Sequence, residues 1–281
     1  MASKLHVRSN SLPNGSHPCS SRVRDQLKNL KAFEATSSSE SIVTSLSLLE
    51  DLYSSLDDLL NVASTQKVIS QQQGDKCIEE ILDGSMKVLD ICGITRDTVM
   101  QIKENVQFLH SALRRRKDDS TIETSIAEYN SFSKKMKKNV NKVITSLKQL
   151  QSKFGASQLL NEEVMRVLRE VIAMNVSIFQ SLLTFFARPA SKSKAAKWMN
   201  KLMHKGVVAS EDNSENCNEL QLVDATLNIL LKEGANGSNM KVGHEKLEAL
   251  EIAIESIEIR LESLFRSMIK TKTSLLNILS Q

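Results

Sequence analysis

The sequence predicts an all-α protein, an elongated bundle of about five long helices joined by short connecting ones. Three observations carry that prediction. From Ile78 to Leu113, positions 78, 81, 85, 88, 92, 95, 99, 102, 106, 109 and 113 step by three and four without a slip. They hold Ile, Ile, Ser, Val, Cys, Thr, Val, Ile, Val, Leu and Leu, a stripe along one side of an α-helix that must be covered by something apolar. The same stepping recurs in at least four other segments. Finally, the chain has only 3 prolines in 281 residues (Pro13, Pro18 and Pro189), so Cys19 to Arg188 runs without a helix breaker. Apolar residues make up 41%, enough for a sizeable core, and aromatics only 4%.

Taken in order, residues 1–35 read as a flexible, disordered N-terminal tail and residues 36–281 as the helical domain. The first 22 residues are polar, with Asn14-Gly15 and two prolines. Ser37 and Glu40 have capping-box spacing. The helix behind them carries apolar or aromatic residues at 42, 46, 49, 53, 56 and 60, and Gln71-Gln72-Gln73-Gly74 reads as a turn with Gly74 as a left-handed cap. The Ile78–Leu113 helix follows. Its Gly84 and Gly93 each cost about 1 kcal/mol relative to alanine, a sign of a close neighbouring helix or a kink. It ends in Arg114-Arg115-Arg116-Lys117, cations at the negative end of the helix dipole. Asp118-Asp119 breaks it, and Ser120 with Glu123 forms another capping-box pair.

The third long helix buries Ile122, Ile126, Tyr129, Met136, Val140, Val143, Leu147 and Leu150, with Ser133 interrupting the stripe. It shows lysines at 134, 135, 137, 138, 142 and 148 on its other side and closes at Gly155. The fourth, roughly 158–187, is apolar nearly all round. Its 17-residue core, 171–187, is short for a membrane span of about 20 residues and holds Asn175, Gln180 and Thr184, so it reads as a central buried helix. A short helix with Leu220, Val223, Leu227 and Leu230 lies between two polar loops, 209–219 and 234–243. The last helix steps from Leu247 to Ile278, glutamate-rich at its start and basic towards its end, as the dipole prefers. Its stripe reads as closing the bundle; a homodimer through 247–278 is the alternative.

Net charge is +4, which is not diagnostic of nucleic-acid binding. Neither a reader module nor stacking aromatics accompany the lysine face, so no nucleic acid is expected. The four cysteines form no C-x-x-C pair, which points to a reducing compartment. No secretory h-region is present, and an acid-free start weakly suggests a transit peptide, the weaker reading. An intracellular, cytoplasmic protein is expected, with peripheral membrane association as the alternative. No metal spacing, phosphate loop, dinucleotide fingerprint or nucleophile elbow occurs. No enzyme activity and no cofactor are expected.

Two segments carry binding chemistry. Arg8, Ser11 and Pro13 fit the R-S-x-S-x-P pattern of phosphoserine ligands of 14-3-3 proteins, where a phosphate on Ser11 would be gripped by arginines. Residues 191–205 set Trp198, Met199, Leu202 and Met203 among five lysines. Lys194, Lys197, Trp198, Lys201, Leu202 and Lys205 would form a membrane or calmodulin face; a helix docked on the bundle with its lysines in water is the favoured reading.

Several strings resemble the plant-specific BYPASS-related family: LHVRSNSLP (5–13), FEATSSSESI (33–42), ILDGSMKVLDICGITRD (81–97), QFLHSALRRRK (107–117), SIFQSLLTFFARP (177–189), KWMNKLMHK (197–205) and LFRSMIKTKTSLLNIL (264–279). Their order and spacing along nearly the whole chain suit the family. The resemblance implies a role linked to root and shoot development, with restraint of a root-derived signal. It brings no enzymatic activity, cofactor or catalytic residue. Ala187-Arg188-Pro189 stands where Ser-Gly-Pro is expected, a departure at one turn.

Overall fold

The computed structural model describes residues 18–33, 38–115, 119–155, 162–188 and 217–281. Among these, eight helices and no strands are present: α1 (Pro18–Ala32), α2 (Ser39–Leu60), α3 (Ala63–Ser70), α4 (Lys76–Arg114), α5 (Asp119–Phe154), α6 (Glu163–Ala187), α7 (Glu219–Glu233) and α8 (Gly237–Leu279). The all-α bundle is as expected, with α2, α4, α5, α6 and α8 as its five long members.

The stripes are buried as their spacing requires. On α8, Leu247, Leu250, Ile254, Ile257, Leu261, Leu264, Met268, Thr271, Leu275 and Ile278 all point inward. On α4 the stripe holds except at Ser85, which is half-buried beside the fully packed Gly84. Side-chain pairs set the directions. His110, Lys103 and Arg96 of α4 meet Glu251, Glu258 and Glu262 of α8, so these helices are antiparallel. Glu50 meets Arg260, and Asp57 meets Lys270, so α2 and α8 run parallel. Helix α8 therefore lies between α2 and α4 and also packs on α7, with α5 on the far side of α4. Helix α6 packs against α1, α2, α3, α4 and α5, and its Phe179 and Phe186 are wholly buried. The buried apolar residues of all eight helices form one connected core.

Four details differ from the sequence expectations, the first being that most of the expected loop 234–243 is the opening of α8, which starts at Gly237 behind the Asn236 cap. The tail ends before residue 35, because Pro18–Ala32 is a helix whose Val23, Leu27 and Leu30 pack on α2 and α6. Its three apolar residues step by four and three but are outnumbered by Ser, Arg, Lys and Asn, which hid the stripe. Pro18 takes the first helical position, where its missing N–H costs nothing. The N-cap of α2 is Ser38, whose hydroxyl accepts from the Ser41 N–H, one residue later than expected. Helix α5 starts at Asp119, which puts Ser120 inside the first turn; its carbonyl accepts from Thr124.

The glycines divide cleanly. Gly74 has φ +80° and makes the expected left-handed turn. A Cβ on Gly84 would come within 2.4 Å of the Phe154 ring, so α5 ends directly against α4 there. A Cβ on Gly93 would meet nothing within 4 Å, so no helix approaches closely at that point.

Candidate functional site: the α4–α8 seam and its surroundings

Seven-residue spacing puts Arg96, Lys103 and His110 on one edge of α4, where they face glutamates of α8. Lys103 donates to Glu258 at 2.5 Å, and that bond holds its ammonium above the usual lysine range. Arg96 pairs with Glu262 and lies over the Phe265 ring, 4.3 Å from its centre. His110 is buried, with Nδ1 2.9 Å from Glu251 Oε1 and its ring 5.3 Å from that of His244. Together the rungs fix the register of the two longest helices.

A second polar cluster sits at the other end of α4. The Arg169 guanidinium, only 5% exposed, donates to Glu80 at 3.2 Å and to the Lys153 carbonyl at 3.0 Å, and stacks 4.9 Å from the Phe154 ring centre. It ties together the ends of α4, α5 and α6. Further in, the Tyr53 hydroxyl donates to Asn175 Oδ1 at 3.3 Å, while Asn175 donates to the Val171 carbonyl at 2.7 Å. Burial raises the hydroxyls of Tyr53 and Tyr129 well above the ordinary tyrosine value. Burial likewise pushes the Cys92 thiol up to about 12, leaving it neutral and inert, and raises that of Cys77. All four cysteines are free thiols.

A groove of about 390 Å³ opens between α4 and α5, lined by Lys87, Asp90, Ile91, Ser146, Gln149, Leu150 and Lys153. Its two lysines share Asp83, at 2.9 and 3.5 Å, and the Lys87 hydrogen bond depresses that carboxyl. It lies about 35 Å along α4 from His110, at 1.5 Å per residue. An imidazole polarised by a glutamate could act as a base, but this one does not open into that groove. Among the described residues, no group of three or more His, Cys, Asp or Glu is arranged to hold a metal ion.

The binding segments named from sequence lie outside the described residues. That holds for Arg8, Ser11 and Pro13, and for Lys194, Lys197, Trp198, Lys201, Leu202 and Lys205. The structure does show where the second segment leaves and returns. Asn218 donates to the Phe185 carbonyl at 2.9 Å and caps α7 through a reciprocal bond with Gln221, so the flanks of 189–216 are latched together. Most of the expected lysine face on α5 is exposed, but Lys137 turns inward to Asp224 of α7 at 2.7 Å.

A family model described as Protein BPS1 matches residues 45–278, most of the chain from α2 to the last turn of α8. The chain belongs to the BPS1 family. Searches of curated proteins and of solved structures return no match. The BPS1 match covers both polar clusters, the α4–α8 seam and the 189–216 segment, but not the Arg8–Pro13 string.

Sequence reasoning missed the interhelical pairs. The heptad spacing of Arg96, Lys103 and His110 was a usable signal, as was one arginine, Arg169, inside the apolar run of α6.

Proposed function

We propose that this BPS1-family chain is a non-enzymatic regulatory and interaction protein of plant development, linked to root and shoot growth and to control of a root-derived signal. The observation that carries the reading is the family match across residues 45–278. Its buried polar groups also support it. Arg169–Glu80 and His110–Glu251 are spent on holding helices in register, and neither opens into the α4–α5 groove. Contacts with partners then fall to the outer helix faces, to the Ser11 string as a 14-3-3 ligand once phosphorylated, and to residues 191–205. A cytoplasmic location suits this reading. The α8 stripe is consumed inside the fold, so a homodimer would have to use a different face of 247–278. Proximity labelling in root cells, with growth measured in a loss-of-function line carrying wild-type or Ser11→Ala protein, tests the proposal. Rescue of growth together with a defined partner set supports it. Rescue with labelling at background sinks the interaction reading.

A second reading is peripheral membrane attachment through Lys194, Lys197, Trp198, Lys201, Leu202 and Lys205. The Phe185–Asn218 latch favours it, because it brings the two flanks of this basic segment together at one point on the bundle. Helix α6 is long and apolar enough to cross a membrane, but 61% of its most apolar window is buried by other helices, which marks it as a core element. Membrane association that salt reverses, and that is itself lost when those four lysines become serine, would support the reading. A protein wholly in the soluble fraction would remove it.

A further inference from the structure

Helix α8 carries more apolar side chains than its buried stripe uses. Ile252 and Ile259 are 61% and 62% exposed. They are seven residues apart, on the side of α8 away from the core, and they alternate with exposed Glu248 and Glu255 at three-four spacing. The neighbouring outer line on α4 has the same character: Asp97, Met100, Glu104 and Phe108, all exposed. The His110–Glu251, Lys103–Glu258 and Arg96–Glu262 rungs put Phe108 close to the level of Ile252, and Met100 close to that of Ile259. Four large apolar side chains are thus interleaved with four carboxylates across two adjacent helices. None of these carboxylates makes a direct ion pair among the described residues; Glu255 acts at longer range on Lys103, which Glu258 already engages, as Glu262 engages Arg96.

We propose that this outer face of α4 and α8 docks a basic amphipathic helix of a partner protein. An amphipathic helix laid along these two antiparallel helices would set apolar residues two turns apart against Ile252 and Ile259 on one side and Met100 and Phe108 on the other, which are seven and eight residues apart. Lysines or arginines flanking the partner's stripe would meet these four acids. Met100 adapts its shape to different apolar surfaces. The sign of the charge argues against other occupants. Nucleic acid and anionic lipid are repelled, and a two-fold dimer through this face would set glutamates against glutamates.

The inference rests on the reading of the chain as an interaction protein, and the experiment separates the two. The probe is a synthetic Lys/Leu peptide of helical three-four spacing carrying one tryptophan, titrated into the full chain. It is compared with a scrambled peptide and with one having Glu in place of Lys. Only the amphipathic basic peptide should bind. Ile252→Ser with Ile259→Ser should weaken binding by about tenfold or more, with the urea midpoint unchanged. Glu248→Lys with Glu255→Lys should weaken it too, and should gain binding to the Glu peptide. Equal binding by these variants overturns the proposal. So does a wild-type dimer that Ile252→Ser dissociates, since a second copy would then be the occupant. If serine at Lys194, Lys197, Lys201 and Lys205 tightens peptide binding about tenfold, the chain's own segment is the occupant and the partner assignment falls. In root cells, unchanged partner labelling by the isoleucine variants rejects this face while leaving the interaction reading intact. Labelling at background by wild-type protein rejects both.

Discussion

Helices α6 and α8 both carry apolar side chains beyond a single stripe, and the fold disposes of the surplus in opposite ways. Helix α6 is surrounded by α1, α2, α3, α4 and α5, so residues on most of its circumference are buried, including one arginine. Helix α8 packs on α2, α4, α7 and, over a short length, α3 through its inward stripe, and leaves Ile252 and Ile259 in water. The difference is one of position, since how far the covering neighbours reach round a helix decides how much of its apolar surface folding consumes. What α6 buries is stability; what α8 leaves out is the exposed apolar surface on which the proposed partner helix would dock.

Breaking the buried side should cost most. Phe179→Ala, at the centre of α6, should lower unfolding free energy by about 3–5 kcal/mol, read as a fall in the urea midpoint. Arg169→Ala should cost about 3 kcal/mol, near the lower end for breaking a buried pair, because Glu80 keeps some contact with water. Arg169→Met combined with Glu80→Leu should recover most of that loss. A single Arg169→Ala variant as stable as wild type would show that the cluster holds nothing together.

Alkali attacks the same interior more gently. Cys92, Tyr53 and Tyr129 have folded pKa values above their ordinary ones, 9.0 for cysteine and 10.0 for tyrosine. The unfolded chain therefore gives up these protons first. The stability they contribute is complete below pH 9 and declines as pH rises above it. Cys92 alone should account for about 2 kcal/mol between pH 9 and 10.5. Urea midpoints at the two pH values check this, and Cys92→Ala should flatten the slope. A slope that does not change with Cys92→Ala would place this thiol in contact with solvent.

The two glycines of α4 give the smallest effects, with opposite signs. Alanine at Gly84 drives a Cβ into Phe154, an overpacking cost of about 1–3 kcal/mol set against about 1 kcal/mol of regained helix propensity. A net loss is expected, relieved by Phe154→Leu. Alanine at Gly93 meets open space and should raise stability by up to about 1 kcal/mol. The same sign at both positions would mean that α5 does not end against α4 as described.

The inward faces were legible in the sequence because helical period depends only on neighbours along the chain. The α8 stripe is buried position for position, and Gly84 makes the close approach that its place inside a regular stripe suggested. Partners between helices were not legible. That Lys103 faces Glu258, or that Arg169 reaches Glu80, follows from interhelical register, which sequence spacing on one helix does not contain. Gly93 looked like Gly84 in sequence and differs only because no neighbour reaches it. Helix α1 was hidden by its polar majority, although Val23, Leu27 and Leu30 had the right spacing. The two binding segments named from sequence lie outside the described residues, while the exposed α4–α8 face emerged only once the buried stripes were known.

Ile257 and Ile259 stand two residues apart on α8, one wholly buried and one 62% exposed. Urea unfolding of Ile257→Ala and Ile259→Ala, measured side by side, asks whether the bundle uses one isoleucine and leaves the other to a partner. Ile257→Ala should lose about 2–5 kcal/mol, and Ile259→Ala should stay within about 0.5 kcal/mol of wild type. Equal losses, or the larger loss at Ile259, would mean that α8 does not pack by the stripe from Leu247 to Ile278.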